Sequence, residues 1–267
     1  MRQFFDRQTE RWAYIRRADA ANEKMVIFIH GFRGSYLSTW GGLANFLKEH
    51  ADSHRVLSEW DYLFLGYETY SIGSYLDIAG LITSQWRKAS TRVPPFDQNE
   101  YSKLALFGHS LGTLAIRQLL CALSEQPEGM LQAIEETVLF GSPLNGSWLA
   151  GIGSLGKWID AASGKPAALL PGSYRIARAL EPDNPEMKML QIWNKTVRTY
   201  GRSTFGPTKV ILGSDDHVVG TGKLAEWLGD VVSETAMDHS QLCKVDDVGE
   251  ATQGTVLDML KGLPHGQ

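Results

Sequence analysis

The stretch Leu104-Ala-Leu-Phe-Gly-His-Ser-Leu-Gly-Thr-Leu-Ala-Ile116 decides the fold of this 267-residue chain. A short apolar run ends in Gly108-His-Ser-Leu-Gly112, and apolar residues at helical spacing follow it. Gly-x-Ser-x-Gly between a strand and a helix is the pattern of a nucleophile elbow, a sharp turn that projects the serine Oγ above the sheet. The two glycines leave room where strand and helix approach each other, and the N–H groups that begin the helix favour a developing negative charge. A chance match is the alternative, but the flanking strand and helix patterns favour the elbow.

Composition and charge indicate an ordinary globular protein. Hydrophobic residues make up 43% of the chain and charged residues 21%. A formal net charge of −4 and a pI near 6.0 argue against nucleic acid as the main partner. The two cysteines, Cys121 and Cys243, lie far apart and do not indicate a disulfide framework.

The sequence carries no pattern of a targeting or membrane-spanning segment. The N-terminal residues lack the long apolar core of a signal peptide, and no apolar run approaches the roughly 18 residues of a membrane span. We therefore expect a cytoplasmic protein with no integral membrane segment. Export by a specialised secretion system that needs no cleaved signal is the alternative.

Strand patterns alternate with helix patterns along the chain. Continuous apolar runs predict buried strands at 25–29, 62–67, at the start of the elbow, and at 136–141, 209–213 and 230–236. Helical spacing predicts helices at 40–49, 75–90, after the elbow and at 251–262, with a short helix or strand within 1–24. This alternation predicts an α/β fold, a mostly parallel, doubly wound sheet with helices on both faces, in one domain over residues 1–267.

The segment 144–185 interrupts this alternation between two core strands. A connection of this length is uncommon without a function, so we expect a lid insertion over the site. An ordinary crossover helix with a long loop is the alternative. Trp148, Leu149 and Trp158 of this segment are candidate substrate-binding residues, although they could instead pack on the core.

An activated serine needs a general base and an acid that orients it. In this architecture the acid and then the base follow the nucleophile Ser110 in chain order, each just after a strand. Asp215 and Asp216 both follow the 209–213 strand, and Asp216 is preferred because its offset lets the loop turn its carboxylate towards the site. His239 lies just past the last predicted strand and is the candidate base.

The same chemistry needs an oxyanion hole. The backbone N–H groups of Leu111, which follows the nucleophile, and of Phe32, in the loop after the 25–29 strand, are the candidate donors. His30 and His109 adjoin motif glycines and are expected to support the turns. The sequence has no H-E-x-x-H or paired ligand spacing, no dinucleotide fingerprint and no Walker lysine, so we expect no metal and no cofactor.

Three further stretches resemble segments of α/β-hydrolases of the lipase and esterase type. Ile29-His-Gly-Phe-Arg-Gly34 with Thr39-Trp40 resembles the HG-x-x-G…TW segment of serine-active-site-containing lipases and GPI inositol-deacylase-like hydrolases. Leu139-Phe-Gly-Ser-Pro-Leu-Asn-Gly-Ser147 is similar to their F-G-T/S-P-x-x-G-S stretch. Asp238-His-Ser-Gln-Leu-Cys-Lys244 is similar to their D-H-x-x-x-C-K segment.

The resemblance implies the α/β-hydrolase fold and a serine ester hydrolase, with acyl lipids or other hydrophobic esters as substrates. It implies Ser110 as nucleophile, Asp216 as acid and His239 as base, with the amides of Phe32 and Leu111 as oxyanion donors. The family's membrane-bound members have anchoring segments or extra domains that this sequence lacks, so we expect a soluble esterase. The alternatives are a thioesterase or amide hydrolase with the same triad, and a non-catalytic binding protein of the same fold.

Overall fold

The structure, a computed structural model, describes residues 2–18, 21–69, 71–125, 129–144, 180–181, 184–200, 208–219, 230–248 and 251–265. Within these residues the strands are β1 (Arg2–Arg7), β2 (Trp12–Arg17), β3 (Lys24–Ile29), β4 (Trp60–Leu65), β5 (Lys103–His109), β6 (Ile134–Phe140), β7 (Thr208–Gly213), β8 (Asp230–Thr235), β9 (Asp246–Val248) and β10 (Ala251–Gln253). The α-helices are α1 (Leu43–His50), α2 (Tyr75–Ser90), α3 (Leu111–Ser124), α4 (Met130–Ala133), α5 (Pro185–Tyr200) and α6 (Thr255–Lys261).

Eight of these strands form one sheet in the order β1-β2-β4-β3-β5-β6-β7-β8. The pairs β1–β2 and β2–β4 are antiparallel, and every other pair in the sheet is parallel. The predicted mostly parallel sheet is therefore confirmed. The N-terminal segment adds an antiparallel hairpin, β1 and β2, to its edge, and β9 pairs with β10 in a separate two-stranded sheet.

Helices cover both faces of the sheet, which explains why its central strands are continuously apolar. Side chains of β3 alternate between two buried clusters, as the strand period of two requires. Met25, Ile27 and Ile29 join the cluster that includes residues of α2, α3 and α5, whereas Val26 and Phe28 join the cluster that includes residues of α1 and α6. The predicted doubly wound arrangement, with helices on both faces of the sheet, is therefore confirmed.

Helix α2 has the bounds that its apolar spacing predicts. Its first turn is fixed by a capping box, in which Ser74 caps the helix and Asp77 reaches back to the Ser74 N–H. Two helix predictions need correction. The helix expected at 40–49 begins at Leu43, after a 3-10 turn and Gly41, and the helix expected at 251–262 begins at Thr255, after β10.

Most of the predicted lid, residues 145–179 and 182–183 with Trp148, Leu149 and Trp158, lies outside the described residues. Helix α5 follows this segment and begins at its predicted end. No helix within the described part of the chain is long and apolar enough to cross a membrane.

Parallel strands bring their carboxyl ends to the same edge of the sheet, and ligands bind at this edge in α/β folds. The loops after β3, β5, β7 and β8 carry Phe32, Ser110, Asp216 and His239 respectively. The topology thus gathers four distant sequence segments at one place.

Candidate active site

Ser110 stands between β5 and α3 in a strained conformation. Its φ of 52° and ψ of −119° are rare for a residue with a side chain. Its N–H donates to the carbonyl of Phe140 at 2.9 Å, and its own carbonyl accepts from the N–H of Thr113 at 2.9 Å and from the Thr113 hydroxyl at 2.6 Å. These three hydrogen bonds hold the backbone of the turn in place, so the strain is fixed by the surrounding structure.

The glycines that flank the serine stand where no side chain would fit. A Cβ atom on Gly112 would lie 2.5 Å from the carbonyl oxygen of Ile29 and 2.7 Å from that of His30. A Cβ atom on Gly108 would lie 2.7 Å from the side chain of Ile116. This is the close approach of strand and helix that the elbow pattern predicts.

Asp216 and His239 form a hydrogen-bonded pair at the same edge. The Nδ1 atom of His239 lies 2.7 Å from Oδ2 of Asp216. A carboxylate can only accept, so Nδ1 carries the proton and Nε2 is left as the basic nitrogen. The other carboxylate oxygen of Asp216 accepts from the N–H groups of Val218 and Val219, at 2.8 and 3.0 Å. Asp216 is therefore fixed at both oxygens.

The surroundings of Asp216 keep it ionised. Burial raises the pKa of its carboxyl, but the hydrogen bond and charge of His239 and the N–H groups of Val219 and Val218 together hold the pKa below its ordinary value. Asp215, the alternative acid, is exposed to solvent in the same loop. The structure brings Asp216 rather than Asp215 to His239.

His109 supports the loop that carries His239. Its Nε2 donates to the backbone carbonyl of His239 at 2.8 Å, and the centroids of the two rings are 4.8 Å apart. Burial and the nearby charge of His239 lower the pKa of His109 to about 3, so its ring is neutral at neutral pH. Through this hydrogen bond His109 acts on the position of His239, while its Nδ1 atom is buried without a hydrogen-bond partner.

His30 supports the loop after β3. Its Nδ1 donates to the carbonyl of Gly31 at 2.8 Å, and its Nε2 accepts from the N–H of Tyr67 at 3.2 Å. The Tyr67 ring stacks on the imidazole with centroids 4.0 Å apart. Burial lowers the pKa of His30 to about 4, which keeps this network neutral. His30 thus supports the turn next to it, as its position predicts, whereas His109 supports the loop that carries His239.

The two candidate oxyanion donors lie on loops that touch each other. Leu111 is the first residue of α3, and Phe32 follows Gly31 in the loop after β3. A Cβ atom on Gly31 would lie 2.7 Å from the Cβ of Ser110, so this loop passes directly against the nucleophile. Among the hydrogen bonds of the described residues, none uses the N–H of Phe32 or of Leu111. Neither amide is therefore engaged by a neighbour that the structure describes.

A cavity of about 640 Å³ opens on Ser110 and His239. Phe32, Val218 and Leu180 contribute apolar surface to its wall, and Lys244 contributes a cation. A volume of this size suits a small or medium-sized organic molecule. Within the described part of the chain, no group of three or more His, Cys, Asp or Glu side chains could hold a metal ion.

Comparison with solved structures identifies the fold. The chain is similar to the mature form of the lipase BlEst2 of Bacillus licheniformis, with a TM-score of 0.54 and 14% identity over 86% of this chain and 91% of that one. It is similar to the monoacylglycerol lipase of Paleococcus ferrophilus, with a TM-score of 0.54 and 13% identity over 91% and 92%. The chain has the α/β-hydrolase fold. Residues 19–150, just under half of the chain, match the family described as "Putative serine esterase (DUF676)".

One further similarity covers only part of the other protein. Phospholipase PlaB from Legionella pneumophila is similar to this chain, with a TM-score of 0.51 and 17% identity over 72% of this chain, which spans 39% of that protein. No significant match was found among curated protein sequences. At the level of class, the family match agrees with the predicted ester hydrolase.

Sequence reasoning missed one glycine of the candidate site. Gly141 follows β6 with a φ of 56°, and a Cβ atom there would lie 2.9 Å from the ring of His239 and 3.3 Å from Oδ2 of Asp216. The signal was present, because a glycine directly after a buried strand marks a turn or a close approach. The sequence alone does not show that His239 and Asp216 lie against Gly141, because this depends on the positions of β7 and β8.

Proposed function

We propose that this α/β-hydrolase is a serine carboxylic-ester hydrolase, an esterase or lipase that works through an acyl-enzyme on Ser110. The observation that carries the proposal is the 2.7 Å contact between His239 and Asp216, in a cavity that also exposes the strained Ser110. The nucleophile is thus accompanied by a base, and the base by an acid that orients it, which is how serine hydrolases are recognised.

The first half of the reaction forms the acyl-enzyme. His239 Nε2 takes the proton of Ser110 as Oγ attacks the carbonyl carbon of the ester, and the C=O electron pair moves to the oxygen. The N–H groups of Phe32 and Leu111 hold this oxyanion, and one such donor contributes about 3–4 kcal/mol to the transition state. Asp216 stabilises the imidazolium. The imidazolium then gives its proton to the leaving alcohol as the C–O bond breaks.

The second half releases the acid. His239 takes a proton from a water molecule, which attacks the acyl carbon, and the same oxyanion donors hold the second tetrahedral intermediate. The imidazolium returns a proton to Ser110 Oγ as the acyl–oxygen bond breaks. The carboxylic acid leaves, and the site is restored.

The proposed substrates are small-molecule or lipid esters with an apolar acyl group. The apolar wall of Phe32, Leu180 and Val218 supports this. Leu180 lies within the segment 144–185, which we propose as a lid that contributes Trp148, Leu149 and Trp158 to the substrate site. We further propose one hydrolase domain over residues 1–267 and a cytoplasmic location, on the sequence pattern alone.

Hydrolysis of p-nitrophenyl esters from acetate to palmitate tests the proposal. The chain-length optimum gives the acyl preference, and the thioester and anilide of the best acyl group show which bond the enzyme prefers. Replacing a triad nucleophile costs on the order of a million-fold in kcat, so we expect Ser110→Ala to fall to background.

The matched control for that experiment is Ser102→Ala, an exposed serine just before the opposite end of β5. This variant should hydrolyse the esters at the wild-type rate. Retained activity in a folded Ser110→Ala protein would show that the proposed nucleophile is wrong.

A further inference from the structure

The wall of the cavity contains an arginine that lacks a partner. Arg33 follows Phe32 in the loop after β3 and lines the same cavity as Ser110 and His239. Its Nη1 atom is buried and has no hydrogen-bond partner. Nor does Arg33 form an ion pair with any residue that the structure describes. A buried guanidinium N–H without an acceptor is unfavourable, so an anion in the cavity that draws the Arg33 side chain towards it gains affinity.

Two other arginines of the described chain have the same backbone conformation as Arg33, and both form ion pairs. Arg11 and Arg92 share the left-handed backbone of Arg33, with φ values of 57° and 56° against 59°. Each of them forms a surface ion pair, Arg11 with Glu68 and Arg92 with Glu100. Arg33 is therefore distinguished by its place in the cavity and by its missing partner, while its backbone conformation is shared with both.

The backbone contacts of Arg33 hold it beside the oxyanion hole. Its N–H donates to the hydroxyl of buried Thr69 at 3.2 Å, and the N–H of Gly34 closes the turn on the carbonyl of Gly31 at 3.1 Å. Adjacent Cα atoms are about 3.8 Å apart, so Arg33 starts within one residue of the Phe32 amide. Its long side chain can therefore reach a group attached close to the scissile carbonyl.

The acidic residues of the cavity are engaged elsewhere or exposed. Asp238 lines the cavity and accepts from the N–H groups of Ser240 and Gln241 at 2.8 and 2.9 Å, and Asp216, which does not line it, is bound to His239. Asp215 is exposed to solvent. The guanidinium of Arg33 is thus left for a ligand, and its planar fork suits a phosphate or a carboxylate, which it binds with two parallel hydrogen bonds.

We propose that Arg33 binds an anionic group of the substrate, so that this hydrolase prefers acyl esters with a phosphate or carboxylate a few bonds from the scissile carbonyl. The inference rests on the proposed ester hydrolase and names its substrate class. The anion can stand on the alcohol side, as in an acylglycerol phosphate, or on the acyl side, as in a half-ester of a dicarboxylic acid.

Two matched pairs of esters test the inference and separate these two sources. Decanoylglycerol phosphate is compared with decanoylglycerol, and p-nitrophenyl hydrogen glutarate with p-nitrophenyl pentanoate. For each pair, the ratio of kcat/KM for the anionic ester to that for the neutral one is measured. In Arg33→Gln, we expect this ratio to fall at least about tenfold, mainly through KM, in the pair whose anion reaches Arg33. Arg33→Lys, which keeps the charge without the fork, should retain part of the preference.

The control variant is Arg92→Gln, the same substitution at the same backbone conformation but outside the cavity. Its ratios should equal those of the wild type. Inorganic phosphate provides a test in the unmodified enzyme, where it should inhibit hydrolysis of the neutral esters competitively and inhibit Arg33→Gln more weakly.

The inference is overturned if both ratios are the same in the wild type and in a folded Arg33→Gln. Failure of the underlying function looks different. In that case the wild type hydrolyses none of the four esters, and a fluorophosphonate does not label Ser110. This result would contradict the proposed ester hydrolase and, with it, the proposed preference for anionic esters.

Discussion

Asp215 and Asp216 are neighbours in sequence but differ in what they contact. Asp216 holds His239 and two backbone N–H groups, whereas Asp215 faces solvent. We predict that Asp216→Asn lowers kcat on the order of a thousandfold or more, because a neutral amide does not stabilise the imidazolium as the carboxylate does and its NH2 group, facing Nδ1, favours the wrong histidine tautomer. Asp215→Asn, the matched control, should change kcat less than about tenfold. Equal losses in both variants in steady-state ester hydrolysis would contradict the assignment.

His109 gives a second prediction for a single residue, in this case one that acts through another. His109→Phe removes the hydrogen bond to the backbone carbonyl of His239 and leaves that carbonyl unpaired. A lost buried hydrogen bond costs about 1–3 kcal/mol, so kcat should fall roughly tenfold to a hundredfold. KM should change little, because His239 and not the substrate site is displaced.

The control for this prediction is His109→Gln, whose amide can donate to the same carbonyl and should restore part of kcat. A merely structural role would lower the melting temperature without changing kcat of the folded protein. A rise in KM at constant kcat would show instead that His109 binds substrate.

At the scale of elements, the elbow depends on the contact between β3 and the start of α3. A methyl group at Gly112 would overlap the backbone carbonyls after β3, whereas one at Gly80, on α2, meets nothing within 4 Å. We predict that Gly112→Ala lowers the free energy of unfolding by roughly 1–3 kcal/mol. Gly80→Ala should raise it by up to about 1 kcal/mol, because alanine favours the helix. Urea unfolding of both variants measures the difference, and equal effects would show that the close approach is absent.

Elements with a strong local pattern were predictable from the sequence. Strands β3 and β5 and helix α2 carry continuous apolar runs or a clear apolar stripe, and the structure places them within a few residues of the prediction. Helix α5 was not predicted, because it carries apolar Met189 and Ile192 on its exposed surface beside many polar residues. The place of β2 beside β4 could not be read from either strand, since strand order depends on contacts between distant segments.

At the scale of the whole molecule, two buried histidines couple folding to pH. Burial lowers the pKa of His30 to about 4 and that of His109 to about 3, whereas an unfolded histidine titrates near pH 6.5. Between the folded and the unfolded pKa values, the unfolded chain binds more protons than the folded one. The contribution of the neutral, buried histidines to the free energy of unfolding is therefore complete above about pH 6.5 and is lost as the pH falls towards 4.

The lowered pKa values of the two histidines give a measurable prediction for the pH dependence of stability. The free energy of unfolding in urea should fall between about pH 7 and about pH 4, and the slope should be shallower in His30→Gln, which has no imidazole to protonate at that site. His265→Gln, at an exposed position, should keep the wild-type slope. An unchanged slope in His30→Gln would show that His30 does not contribute to the pH dependence.

The candidate site is a property of the whole fold, yet much of it was predictable. Parallel strands gather their carboxyl ends, so the places of Ser110, Asp216 and His239 just after strands were enough to predict that they lie at one edge of the sheet. The unpartnered Nη1 of Arg33 was not predictable, because a missing contact is visible only once all neighbours are placed.

Labelling with a fluorophosphonate, followed by mass spectrometry of the peptides, tests the account most directly. The reagent reacts with a serine that a neighbouring base has activated, and it requires no knowledge of the natural ester. The account predicts a single labelled site at Ser110, slow labelling in His239→Ala and none in Ser110→Ala. A folded wild-type protein that stays unlabelled, or that is labelled at another serine, would contradict it.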